Sequence, residues 1–306
     1  MSPLSEHAVT LEEQGLRDGL QTLPVQIPLE TKLRWIDTLV NAGIRRLQVT
    51  SFVNPERVPQ MADAEELVAR LPHREGVVFS ALVLNRKGVE RAAAAGLRHI
   101  AASLSASDTH SRRNANKGLE QSKLEFREMA RLAASHGIAV RGGIQCAFGC
   151  RYEGNIDEDV VLELVRHHID CGVGELALAD STGMGHPAQV ARTMEKVMRI
   201  AGQLPVALHL HNTENKGYAN LFAALGAGVR QFDTAFGGLG GCPFIKGATG
   251  NIATEDTVHM LGQSGYPTGI DNRKVAEVSG EMEKMLGTKL PGLLYGLVSR
   301  EDVKMT

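Results

Sequence analysis

The chain has 306 residues, with 33 lysines and arginines against 35 aspartates and glutamates, and a net charge of −2. That near-neutral balance, with only 4% aromatic residues, argues against a protein that tracks phosphates or stacks nucleic-acid bases. No apolar run approaches the roughly 20 residues a membrane-spanning helix needs, and four cysteines (Cys146, Cys150, Cys171, Cys242) in this length make no disulfide framework, so a cytoplasmic setting is expected.

In chain order, the polar start MSPLSEHAVTLEE carries no secretory or transit signature, and AVTLEEQG reads as a first strand. A helix is predicted over 29–39, with Pro28 near its start and Leu33, Ile36 and Leu39 on one face. A glycine then introduces the strand-like run IRRLQVTS. The same unit returns with helices over roughly 60–71, 86–95, 117–135, 157–170, 187–201, 214–227 and 254–264. Strand-like runs EGVVFSALV, LRHIAAS, IAVRGGI, VGELALAD, PVALHLH and VRQFDTA lie between them. Gly43, Gly96, Gly137, Gly172 and Gly228 mark helix ends, where a left-handed residue turns the chain into a strand.

Eight strands alternating with helices imply parallel pairing, and the length fits a closed (β/α)8 TIM barrel with additional C-terminal helices. No G-x-G-x-x-G follows the first strand, which removes the dinucleotide-binding fingerprint. One catalytic domain is expected over 1–306, with the barrel at about 8–266 and a helical extension at about 268–306.

Barrel chemistry sits on the loops leaving the C-terminal ends of the strands. Those positions hold Arg17 and Asp18 in GLRDGLQ, His209 and His211 in HLHN, and Cys242, Asn251 and Glu255 in GGLGGCPFIKGATGNIATED. Residues i and i+2 on a strand share a face, so both imidazoles enter one mouth. Ring closure makes the first, seventh and eighth strands neighbours, so Asp18, His209, His211 and Asn251 converge. Two imidazoles, a carboxylate and an amide oxygen form a mixed site suited to Mg²⁺ or Mn²⁺. Taken singly, each is as readily an ordinary polar residue, and Arg17 beside Asp18 a surface ion pair. Cys242 stands in a glycine-rich segment suited to closing over a substrate. Cys146 and Cys150, in CAFGC, read as packed core thiols.

Together with TSFVNPERVPQM and VRGGIQCAFGCRYEG, these stretches resemble the 3-hydroxy-3-methylglutaryl-CoA lyases, metal-dependent barrel enzymes related to isopropylmalate and homocitrate synthases. The resemblance spans roughly 8–295. It implies a divalent metal, Mg²⁺ or Mn²⁺, on Asp18, His209, His211 and Asn251. It further implies Arg17 as the catalytic arginine, Cys242 as the loop cysteine, and Glu13, Asp180 and Glu255 as supporting acids. Arg141 matches a substrate-side arginine, and Gln21, Gln48, Ala177, Ser181 and Asn212 fall at substrate-side positions.

The implied partner is an acyl-CoA, cleaved by a retro-Claisen reaction to acetyl-CoA and acetoacetate, in an enzyme expected to be a homo-oligomer, by family habit a dimer. Asp18 or His209 would take the substrate hydroxyl proton. Departures from the family pattern are Gln48 for Glu, Asn212 for Asp, Ala177 for Ser and Ser181 for Thr. They leave open the same chemistry on citramalyl-CoA or a longer 3-hydroxy-3-alkylglutaryl-CoA. A condensing synthase of the superfamily is the other enzyme reading, against which the Cys242 loop stands.

Overall fold

The computed structural model describes residues 7–240 and 250–298. Eight parallel strands close a barrel in chain order: β1 (Thr10–Glu13), β2 (Arg46–Ser51), β3 (Val78–Leu82), β4 (His99–Ser105), β5 (Ala139–Gln145), β6 (Glu175–Asp180), β7 (Val206–Leu210) and β8 (Gln231–Thr234). β8 pairs with β1, Glu12 opposite Asp233, so the ring has no free edge. The helices are α1 (Leu29–Asn41), α2 (Ala64–Ala69), α3 (Arg86–Ala94), α4 (Asp108–Ala115), α5 (Leu119–Ser135), α6 (Glu158–Asp170), α7 (Pro187–Ala201), α8 (Gly217–Gly226), α9 (Thr254–Gln263), α10 (Asn272–Leu286) and α11 (Tyr295–Val298).

All eight strands stand where the alternating pattern places them. The five helix-ending glycines adopt positive φ, from +65° at Gly137 to +101° at Gly43. At Gly43 a side chain is also excluded by space, since a Cβ would lie 2.4 Å from the Gly269 carbonyl oxygen. Two helices differ from expectation. The segment predicted as one helix over roughly 60–71 splits into a 3₁₀ turn at Pro59–Met61 and the short α2. An extra helix, α4, occupies 108–115, where Ser111 is the one buried residue and no apolar period announces it. Its start is fixed by Ser107, whose Oγ accepts the His110 N–H at 3.0 Å.

Apolar side chains fill the space between sheet and helices, and a second cluster lies under α1 and α10. There Trp35, Ile36 and Leu39 of α1 meet Val275, Val278 and Met282 of α10, together with Leu16, Leu20, Phe236 and Leu239. The Trp35 indole N–H donates to Glu281 at 2.8 Å. Truncating a buried tryptophan of this kind costs about 3–5 kcal/mol. The tail is thereby packed under the two segments that carry the site, 15–20 and 236–240.

Inside the barrel lies a charged layer. Arg141 reaches Glu12 at 3.1 Å, Glu175 at 3.1 Å and Asp233 at 2.8 Å, while Arg46 reaches Glu12 at 2.9 Å and Glu175 at 2.6 Å. Burial opposes the charge on Arg141, but the three carboxylates hold it protonated. Removing Arg141 takes the one guanidinium shared by all three buried carboxylates, at a cost of about 3–5 kcal/mol. This layer forms the floor on which the site rests.

Candidate active site

The chain leaves β1 through a five-residue π-helix, Gly15–Gly19, in which the Gln14 carbonyl accepts the N–H groups of Arg17, Asp18 and Gly19 at 3.0, 2.7 and 3.2 Å. Single π-turns of this kind are frequent at functional sites, and both Arg17 and Asp18 face the barrel mouth. Gly15 is required by space: a Cβ would sit 2.4 Å from the Phe236 ring. Arg17 donates Nε to Gln48, Nη1 to Asp18 and Nη2 to Gln14 at 3.0 Å. A register shift in β2 between Gln48 and Thr50 accompanies the turn of Gln48 toward the pocket.

Across the β1–β8–β7 seam stand the two histidines. His209 and His211 approach Nε2 to Nε2 at 3.0 Å, and His211 Nε2 lies 3.9 Å from Asp18. Ligand atoms of Asp18, His209 and His211 fall within 4.8 Å of one another. Two donors at right angles around an ion, with bonds of about 2.1 Å, stand about 3.0 Å apart, so the imidazole spacing suits a shared ion. Asn251 is brought in by residues 250–253, which run beside the barrel rim. His211 forms a bridge with Asn251, and the Asn212 N–H donates to Gly250 at 2.9 Å. Asn251 Nδ2 donates to Asp18 and to the Leu239 carbonyl, both at 2.8 Å, while its buried Oδ1 has no partner. A buried amide oxygen left bare beside a carboxylate and two imidazoles is what a divalent ion would satisfy.

The electrostatics agree. Burial works against ionisation of Asp18, but Arg17, His209 and His211 outweigh it and hold the carboxyl at about 2. Burial pushes His211 down to about 4, so its ring is neutral and free to ligate at pH 7.

These residues line one cavity of about 220 Å³. Gln21, Gln48, Arg141, Ala177 and Ser181, which the resemblance places on the substrate side, also line it. Arg141, however, spends its fork on the three carboxylates of the floor. Asn212 lies outside the lining: its Oδ1 accepts the Gly217 N–H at 3.0 Å and starts α8, work an aspartate would do equally. Glu13, Asp180 and Glu255, predicted as supporting acids, are buried behind the cavity wall and do not line it. Glu13 Oε1 accepts the N–H groups of Gly15 at 2.6 Å and Phe236 at 2.9 Å, and Oε2 accepts Thr254 Oγ1 at 2.7 Å. One carboxylate thus ties the Arg17–Asp18 turn, the exit from β8 and the segment after Asn251. Glu255 holds the Gly237 N–H at 3.0 Å and the Ser279 hydroxyl. Asp180 Oδ2 accepts the Gly185 N–H at 3.0 Å. Cys242 lies outside the described residues. Cys146 and Cys150 are buried, as expected of core thiols.

Sequence reasoning missed Asp233, Ser103, His110, Asn114 and Gln145, all in the cavity wall. Asp233 holds His209 Nδ1 at 3.0 Å from within a four-residue strand rather than from a loop. Its signal was a lone carboxylate in the β-prone run VRQFDTA.

A family model described as HMGL-like matches residues 8–281. The (R)-citramalyl-CoA lyase of Chloroflexus aurantiacus is 41% identical over 297 residues, 94% of each chain. The hydroxymethylglutaryl-CoA lyase of Pseudomonas mevalonii is 39% identical over 284 residues, 92% of this chain and 93% of that one. An HMG-CoA lyase from Acinetobacter baumannii, solved in complex with coenzyme A and 3-methylmalate, superposes with a TM-score of 0.93 at 35% identity, over 99% of each chain.

Proposed function

The chain belongs to the HMGL-like family, and from that footing we propose that it is a carbon–carbon lyase cleaving 3-hydroxy-3-methylglutaryl-CoA to acetyl-CoA and acetoacetate. The observation that carries this reading is the convergence of Asp18, His209 and His211 beside Arg17 in one cavity, with Asn251, whose amide donates to Asp18 and whose buried oxygen is bare, packed against them. The four residues would hold a divalent ion, Mg²⁺ or Mn²⁺, which when bound would supply Lewis-acid polarisation of the substrate hydroxyl.

Arg17 stabilises the charge that develops on the thioester oxygen as the C2–C3 bond breaks. Two of its three partners, Gln14 and Gln48, are neutral amides, so much of its charge stays available to the reaction. Cys242 returns a proton to the acetyl-CoA enolate carbon. Glu13, Asp180 and Glu255 act as positioning residues, holding backbone N–H groups of the segments that carry the site.

A second reading is favoured by the 41% identity to the citramalyl-CoA lyase and by the neutral Gln48 and Ala177 in the cavity wall. Citramalyl-CoA differs by one methylene between the hydroxyl carbon and the carboxylate, and its cleavage yields pyruvate. Acetyl-CoA release from purified protein loaded with Mg²⁺ or Mn²⁺, across a panel of 3-hydroxyacyl thioesters, tests both. Activity that survives chelation overturns the metal mechanism, and the preferred thioester separates the two substrates.

A further inference from the structure

The Asp18 carboxylate is divided between two neighbourhoods. Its Oδ1 accepts the Arg17 Nη1–H and, at 3.3 Å, the Gln21 amide. Its Oδ2 accepts the Asn251 amide at 2.8 Å and lies 3.9 Å from His211 Nε2. Oδ1 thus belongs to the arginine and Oδ2 to the ligand cluster. Arginine and carboxylate frequently pair as a fork, in which two parallel N–H···O bonds take both oxygens. Arg17 makes no such fork with Asp18, although the pair is shielded, with side chains 11% and 13% exposed.

Gln14 accounts for this. Its Oε1 accepts the Arg17 Nη2–H at 3.0 Å, which commits that arm of the guanidinium away from Asp18. Gln14 follows Glu12 by two residues at the end of β1, and strand alternation turns both side chains toward the inside of the ring. There the Gln14 Nε2–H donates to Glu12 Oε1 at 3.4 Å. Glu12 is itself fixed in the floor: Oε1 also accepts the Ser80 hydroxyl at 3.2 Å, and Oε2 meets Arg46 at 2.9 Å and Arg141 at 3.1 Å. An amide suits this place because one end accepts from a guanidinium while the other donates to a carboxylate. A hydrocarbon would do neither, and a carboxylate would face Glu12 with like charge. Gln14 is buried and does not line the cavity, so it bears on the site through Arg17.

We propose that Gln14 is a positioning residue that ties Arg17 to the barrel floor and so keeps Asp18 Oδ2 free for a divalent cation. This rests on the divalent-ion reading above. Gln48 also holds Arg17, at Nε, but a guanidinium held at Nε alone keeps both Nη groups for Asp18.

The test is a Mn²⁺ titration of the full-length apoprotein, with the free ion read by electron paramagnetic resonance. Gln14→Met keeps the side-chain length and removes both hydrogen bonds, and it raises the Kd for Mn²⁺ about tenfold. Gln14→Glu, which keeps an acceptor for Nη2, does not raise it. In an Arg17→Met background no fork can form, and Gln14→Met changes Kd there by less than about twofold. A merely structural role would loosen Mn²⁺ alike in both backgrounds. That result, an unchanged Kd in Gln14→Met, or an equal rise in Gln14→Glu overturns the proposal. No thioester enters the titration, so a failure of the substrate reading does not touch it. Should wild-type apoprotein take up no Mn²⁺, the ion reading fails, and crystal structures of wild-type and Gln14→Met apoprotein decide the rest. The proposal requires Arg17 to fork onto both Asp18 oxygens in the variant alone, and an unmoved guanidinium overturns it.

Discussion

Asp233 Oδ2 lies 3.0 Å from His209 Nδ1, and its other oxygen lies 2.8 Å from Arg141 Nη2. A carboxylate there accepts Nδ1–H and so leaves the Nε2 lone pair for a metal. Burial opposes the charge on Asp233, but Arg141 and His209 keep it ionised. Asp233→Asn removes that charge at nearly constant volume. Mn²⁺ affinity, measured by titration of the apoprotein, is expected to fall about tenfold to a hundredfold. Unchanged affinity would reduce Asp233 to a partner of Arg141 alone.

Gly240, at φ +99°, packs against the Asn251 and Asp18 side chains. A Cβ built there would lie 2.5 Å from Asn251 Nδ2 and 2.8 Å from Asp18 Oδ2. Gly240→Ala therefore displaces both side chains, besides straining the backbone. Turnover is expected to drop more than about a hundredfold, since displacements near 1 Å cost that much, and Mn²⁺ affinity falls with it. A variant with full metal affinity would show that the segment yields instead of the ligands.

The barrel was legible because its signals are local: α1, α3, α5, α6 and α8 each end on a glycine and each strand is a short β-prone run. Helix α4 was not, because SDTHSRRNA buries almost nothing and its one cue is a serine cap at Ser107. The grouping of Asp18 with His209 and His211 was legible through the i, i+2 spacing of the two histidines and through ring closure. Asp233 was not legible because barrel chemistry is expected past the strand ends, whereas this side chain points inward from β8 itself. Glu13 and Glu255 were recognisable as acids of the site region, but nothing in sequence shows whether a carboxylate faces a cavity or a row of backbone N–H groups. That distinction is made by three-dimensional packing alone.

Those two carboxylates give the fold a pH dependence. Burial raises Glu13 from 4.5 to about 7, against hydrogen bonds from Thr254, Phe236 and Gly15. Burial likewise raises Glu255 from 4.5 to about 7, against its bonds from Ser279 and Gly237. A carboxyl whose folded pKa exceeds its unfolded one binds its proton more tightly when folded. Its stabilisation is complete below about pH 4.5 and is lost as pH rises through about 7. Thermal unfolding between pH 5 and 8 (roughly the interval in which a group at about 7 ionises) is expected to show this loss. Glu13→Gln and Glu255→Gln should each flatten the profile. A slope that persists in the double variant assigns the dependence to other groups.

Arg17 separates binding from catalysis most directly. Its three donors are fixed by Gln48, Asp18 and Gln14, a fork that a lysine ammonium cannot reproduce. Arg17→Lys keeps a positive charge at the mouth but loses its placement. If the guanidinium acts on charge that exists only as the C2–C3 bond breaks, kcat falls by about 10²–10³ while KM stays nearly constant. A raised KM with kcat preserved would instead make Arg17 a binder of the ground state. Mn²⁺ affinity measured on the same variant distinguishes either result from a displaced Asp18, because only that displacement weakens the metal.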